Sequence, residues 1–291
     1  MQKERRLKIN KCYNENCLDT MARMPDGFID LTVTSPPYDD LRTYNGYCFD
    51  FEAVAKELFR VTKDGGVVVW VVGDATIKGS ETGTSFRQAL KFMEIGFKLH
   101  DTMIYEKANF SNPSSNRYHQ QMEYMFIFSK GKPKTFNPIK DKENKYVTGS
   151  VGQNGSRKKD GTRIKTEKRI CGQYGMRSNI WRMKTVGQEN FGKNIYHPAM
   201  FPESLARDHI ISWSNEGDLV YDPFMGSGTT AKMAIINKRN YIGSEISKEY
   251  CEIAEKRIQE RVNILETKEK KYEEELAEDI MKILTCYNEN L

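Results

Sequence analysis

No apolar run in this chain of 291 residues approaches the roughly 20 that a membrane span needs. The longest, Val67-Val68-Val69-Trp70-Val71-Val72, is the size of one strand. The N-terminus, Met1-Gln2-Lys3-Glu4-Arg5-Arg6, has charge with no apolar stretch behind it, which argues against a secretory signal. Six cysteines are scattered without a Cys-x-x-Cys pair, and the four histidines stand far apart, so neither a zinc site nor a disulfide framework is expected. These absences predict a reduced, cytoplasmic protein with no metal. With 29% charged and 11% aromatic residues, a wholly disordered chain is excluded. The length suits one large domain, or one domain carrying a sizeable insert.

The net charge of +5 is unevenly spread. Between Gly131 and Arg177 stand 13 Lys/Arg against 4 Asp/Glu, a local +9 that leaves −4 for the rest. This stretch is also rich in Gly, Asn and Ser. Solvated loop is the plain reading; a surface that meets phosphates is the sharper one.

Strand and helix patterns alternate around it. Strands are expected at 29–33, 67–72, 102–105, 123–128, 218–222 and 240–245. Helices are expected at 51–61, stopped by Lys63-Asp64-Gly65-Gly66, at 86–95, at 203–213, at 229–236 and from 248 onward. The Val67–Val72 run, apolar on both faces, reads as a central parallel strand. Together these predict an α/β fold: a mostly parallel Rossmann-like sheet with helices on both faces. Trp181 and Trp213 are expected in the core.

Two loops carry chemistry. Tyr221-Asp222-Pro223-Phe224-Met225-Gly226-Ser227-Gly228-Thr229-Thr230-Ala231 follows a strand and opens a helix. Gly226 and Gly228 let backbone approach a ligand, and the helix start offers free N–H groups. Glu245 ends the next strand, where a carboxylate in a nucleotide-binding βαβ unit accepts both ribose hydroxyls. No Lys follows the last glycine, as a P-loop requires, and Met225 stands where a hydrolase elbow needs glycine. In the second loop, Thr34-Ser35-Pro36-Pro37-Tyr38, paired prolines fix the backbone and remove two N–H donors. The Ser35 hydroxyl, the Pro36 carbonyl and the Tyr38 ring then suit a flat partner bearing an amino group.

Together the loops resemble those of the amino-methylating DNA methyltransferases, over nearly the whole chain to about Arg261. Val33-Thr34-Ser35-Pro36-Pro37-Tyr38 resembles the catalytic motif, and Asp222 to Thr230 the cofactor motif. His197-Pro198-Ala199-Met200-Phe201-Pro202-Glu203-Ser204-Leu205 resembles the segment covering the methionine end of the cofactor. Glu123 to Lys130 is similar to a strand walling the base pocket. Catalytic motif first, basic insert next and cofactor motif last is the circularly permuted order of the family's β group.

The resemblance implies S-adenosylmethionine as cofactor and double-stranded DNA as substrate, with the target base flipped out of the helix. It implies catalytic Ser35, Pro36, Pro37 and Tyr38. Cofactor contacts fall to Asp222, Pro223, Phe224, Gly226, Ser227, Gly228, Thr229, Glu245, His197, Phe201, Pro202 and Asn16, the last standing where relatives carry an Asp. DNA contacts fall to Arg157, Lys158, Lys159, Arg163, Lys165, Lys168 and Arg169. The domain division is then 1–130 catalytic half, 131–190 target-recognition insert, 191–262 cofactor half and 263–291 charged helical extension.

Ser at position 35 points to cytosine N4, with adenine N6 as alternative; a nicotinamide-dependent oxidoreductase and a non-catalytic DNA-binding protein are further rivals. A cognate restriction endonuclease and a second copy of the chain are candidate partners. All of this requires positions 35–38 and 222–228 to meet at one edge of the sheet.

Overall fold

The computed structural model describes residues 7–37, 50–110, 115–144, 158–162, 172–185 and 202–288. Along the chain run β1 (Lys11–Tyr13), α1 (Cys17–Met21), β2 (Ile29–Thr34), α2 (Phe51–Val61), β3 (Thr62–Val72), β4 (Thr76–Ile77), β5 (Ser80–Glu81) and α3 (Thr84–Ile95). There follow β6 (Lys98–Lys107), β7 (Met122–Ser129), β8 (Lys140–Glu143), β9 (Tyr174–Met176) and β10 (Ile180–Met183). Last come α4 (Glu203–Trp213), β11 (Leu219–Asp222), α5 (Thr229–Ile236), β12 (Asn240–Ser244) and α6 (Lys248–Asn288).

Among the described residues eight strands form the main sheet, in the order β1-β12-β11-β2-β3-β7-β6-β10. β7 runs against both its neighbours, and every other neighbouring pair is parallel. Val67–Val72 therefore has one parallel neighbour, β2, and one antiparallel neighbour, β7. A strand buried on both faces needs apolar side chains whichever way its neighbours run, so its pattern does not report their direction. Val68, Trp70 and Val72 join the core with Val54, Leu58 and Phe92 from α2 and α3, while Val67, Val69 and Val71 are buried on the other face. Trp70 packs edge-on to Phe92, and its indole N–H donates to Gln88 Oε1 at 2.8 Å, so the buried ring leaves no polar atom unpaired.

β3 starts directly after α2 rather than beyond the expected stop. Ile29 pairs with Thr62 but Leu31 with Val67, so the extra residues bulge out of register. Gly65, at φ +80°, makes that bulge accessible, and its N–H bonds to Lys130 O at 2.6 Å. The short β1, α1 and β10 were not expected; Ile180–Met183, counted above with the insert, pairs with β6. Trp181 and Trp213 are buried, as expected.

The chain divides into two units, residues 1–136 with 180–291, and residues 137–179. In the smaller unit β8 pairs antiparallel with β9, and Arg177 forms an ion pair with Asp141. Lys158 to Thr162 is a turn capped by Asp160, whose carboxylate accepts the Thr162 N–H at 2.9 Å.

Candidate active site

β2 and β11 lie side by side and parallel, with Val220 against Leu31 and Tyr221 against Thr32. Both therefore leave the sheet at the same edge. From there the chain after β2 crosses through α2 to β3 on one side, and the chain after β11 crosses through α5 to β12 on the other. The two connections part company at this point, which opens a crevice at the carboxyl ends of the strands.

The walls of the crevice are stitched together. Thr34 Oγ1 donates to Asp222 Oδ1 at 2.7 Å, and Thr230 Oγ1 donates to the Val33 carbonyl at 3.1 Å. The Phe224 N–H bonds to the same Asp222 oxygen at 3.0 Å. Ser35, Pro36 and Pro37 continue directly from Thr34, with Pro36 buried and its neighbours half-buried.

The glycine turn is set by Glu245. Its Oε2 accepts the Gly226 N–H and its Oε1 the Ser247 N–H, each at 2.8 Å. Gly228 caps α5 at φ +80°, and a Cβ there would stand 2.9 Å from the Ala254 Cβ. Gly243 on β12 leaves the space that the Met225 side chain fills.

Burial pushes the Asp222 carboxyl up to about 6, opposed by its hydrogen bonds from Thr34 and Phe224. Burial likewise raises Glu245, against its three backbone N–H donors. Two desolvated carboxylates side by side fit a ligand that brings hydroxyl donors and positive charge. A nucleoside carrying a sulfonium and an ammonium group has both.

Ser35, Pro36, Pro37, Asp222, Pro223, Phe224, Gly226, Ser227, Gly228, Thr229 and Glu245 are thus gathered at one edge. Pro202 caps α4. Asn16 caps α1, accepting the Leu18 N–H at 2.9 Å. It follows a segment that runs beside Glu245, where the Glu245 N–H bonds to Tyr13 O at 3.0 Å. Lys158 and Lys159 are exposed on the smaller unit. Tyr38, His197, Phe201, Arg157, Arg163, Lys165, Lys168 and Arg169 lie outside the described residues.

Several residues at the site had no assigned role. Thr34 and Thr230 stand inside the motifs, yet only their pairing across the sheet reveals what they do. Arg257 holds Ser227 and Glu203, and no sequence signal marks it in a long charged helix.

A mostly parallel sheet with one reversed strand and these two turns at its switch point defines an S-adenosylmethionine-dependent methyltransferase fold, in circularly permuted order. The chain belongs to the N6/N4 DNA methylase family, whose model matches residues 29–256. Members of this family use S-adenosylmethionine. The orphan methyltransferase M.BamHII of Bacillus amyloliquefaciens is 63% identical over 237 residues, covering 80% of this chain and 89% of its own. The solved PvuII DNA methyltransferase (cytosine-N4-specific) superposes with a TM-score of 0.63 at 20% identity, over 87% of this chain and 90% of that one. The M1.HpyAVI complex with S-adenosylmethionine superposes at 0.54 and 22% identity, over 85% and 98%. The oxidoreductase reading is thereby set aside.

Proposed function

We propose that this DNA methyltransferase forms N4-methylcytosine in double-stranded DNA. The observation that carries the reading is the meeting of the Thr34-Ser35-Pro36-Pro37 turn with the Asp222–Gly228 turn, locked by the Thr34–Asp222 hydrogen bond. The Ser35 hydroxyl, in a Thr-Ser-Pro-Pro-Tyr motif, favours cytosine N4; adenine offers the same amino group and stays the alternative.

S-adenosylmethionine supplies an electrophilic methyl group on a good leaving group, so no covalent enzyme intermediate is required. The amino nitrogen of the base is a poor nucleophile because its lone pair is delocalised into the ring. Ser35 Oγ and the Pro36 carbonyl accept hydrogen bonds from the two amino hydrogens, which raises electron density on nitrogen and favours a pyramidal geometry. As nitrogen bonds to the methyl carbon the carbon–sulfur bond breaks, and the methylated nitrogen releases one proton to water. Pro37 removes the conformational freedom that would let those acceptors drift, and Tyr38 stacks on the ring. Alignment of this kind contributes up to several kcal/mol. Asp222, Phe224, Gly226 to Thr229 and Glu245 hold the cofactor, with Glu245 on the ribose and Pro202 with its preceding segment over the methionine end.

The duplex is held through phosphates by the basic insert, from Arg157 to Arg169, while the target base is extruded. Since the M.BamHII relative is named an orphan methyltransferase, we take this chain to act without a cognate restriction endonuclease. Mass spectrometry of nucleosides from DNA treated with the purified protein tests the base: N4-methylcytosine is expected, and N6-methyladenine alone would overturn cytosine.

A further inference from the structure

Arg257 lies in α6, outside every motif assigned above, yet its side chain is only 11% exposed. Nη1 donates twice to one residue of the glycine turn, to Ser227 O at 2.5 Å and to Ser227 Oγ at 2.8 Å. Nη2 bonds to Glu203 Oε1 at 3.0 Å, and that same oxygen receives Lys232 Nζ at 2.6 Å. Burial pulls the Arg257 pKa below its ordinary value while Glu203 pulls it back up. A charge taken this far from water needs partners of this quality to be retained.

The two ends of the fork reach different segments. Ser227 is the middle residue of Gly226-Ser227-Gly228; Glu203 follows Pro202 and opens α4. The turn contains two left-handed glycines, Gly226 at φ +50° and Gly228 at φ +80°, a residue type with many other backbone conformations open to it. Holding the Ser227 carbonyl fixes the Ser227–Gly228 peptide plane, and the N–H of that plane is found on Met225 O at 2.9 Å.

We infer that Arg257 is a positioning residue for the cofactor site: it ties the glycine turn to the start of α4 so that both walls of the methionine end are formed before S-adenosylmethionine arrives. The inference rests on the assignment of those two segments to the cofactor, and it adds a residue that touches neither cofactor nor base. Lysine is a poor replacement, because one ammonium cannot reproduce a planar fork spread over Ser227 and Glu203.

The test is calorimetric binding of S-adenosylhomocysteine and S-adenosylmethionine to the full-length protein without DNA, with methyl-transfer kinetics alongside. Arg257→Lys is expected to raise both Kd values about tenfold or more, to raise KM for S-adenosylmethionine in parallel, and to leave kcat at saturation and the Kd for DNA within about threefold. Hydrogen exchange of the amides at 226–228 is expected to speed up in this variant. Glu203→Gln, which keeps the Arg257–Ser227 contacts, is expected to show a smaller effect in the same direction. Unchanged Kd and exchange in Arg257→Lys would overturn the inference. So would equal losses in kcat, DNA affinity and cofactor affinity with a lowered Tm, which mark a merely structural role. A wild-type protein that binds neither compound would instead sink the cofactor-site assignment.

Discussion

The Thr34 hydroxyl donates to Asp222 Oδ1 at 2.7 Å, joining residues 188 positions apart at the carboxyl ends of two neighbouring strands. That bond joins the strand end that leads into Ser35–Pro36 to the one that opens the Asp222–Gly228 turn. Thr34→Val keeps the shape and removes the donor, leaving a buried carboxylate less satisfied. A loss of about 1–3 kcal/mol in urea unfolding is expected, with a fall in kcat, while Thr34→Ser keeps both near wild type.

Asp222 gives the protein a pH dependence of definite sign. Burial raises this carboxyl from 3.8 to about 6, so the folded chain holds the proton more tightly than the unfolded one. Its contribution to stability is full below about pH 4 and is lost as pH rises through about 6, a change of at most about 3 kcal/mol. Asp222→Asn keeps an acceptor for Thr34 and Phe224 and abolishes the titration. Urea unfolding of both proteins should show the Asn variant gaining on wild type between about pH 5 and pH 7.5. A gap that stays constant over that range contradicts the assignment.

Glu245→Gln keeps one oxygen for a backbone N–H and loses the second charged acceptor. Cofactor affinity should drop about tenfold or more, with DNA affinity in the absence of cofactor unchanged. Calorimetry and a gel-shift titration separate the two.

Gly228 and Gly217 have nearly the same backbone, φ +80° and +86°, but different surroundings. A Cβ on Gly217 meets nothing within 4 Å, whereas one on Gly228 meets Ala254 Cβ at 2.9 Å. Gly217→Ala should cost only the left-handed strain, about 1–2 kcal/mol. Gly228→Ala adds a clash with α6, so a larger loss of thermal stability and weaker cofactor binding are expected.

The insert can be tested through salt. Lys158 and Lys159 are exposed, and each phosphate contact adds about 0.9 to the slope of log K against log salt. Replacing both with Ala should reduce that slope by up to about 2, with cofactor affinity untouched. An unchanged slope removes both lysines from the DNA interface.

Much of this was legible before the structure, for a physical reason. Pro36-Pro37 and Gly226-x-Gly228 are residue types that backbone geometry demands, so they show in the sequence. The helix and strand periods around them place each loop at a strand end. Arg257 was not legible: its partners Ser227 and Glu203 lie in other elements, and a charged helix interior looks the same whether or not one guanidinium turns inward. β1, α1 and β10 span three to five residues, too few to carry a period. The direction of β7 was hidden because β3 is buried on both faces. The side chains of Tyr272, Leu276, Ile280, Ile283 and Leu284, which repeat at helical spacing, lie outside the described ones.

The strand order has a consequence for how the polypeptide comes together during synthesis. β11 must slot between β2 and β12, and among the described residues β1 pairs with β12 alone, more than two hundred residues downstream. While a ribosome is still making residues 131–218, β2 has an open apolar edge with nothing to zip against, a template for mispairing. Such long loop closures also make for slow maturation. A nascent or truncated chain ending before residue 240 therefore lacks β12, the strand that β1 and β11 both pair with.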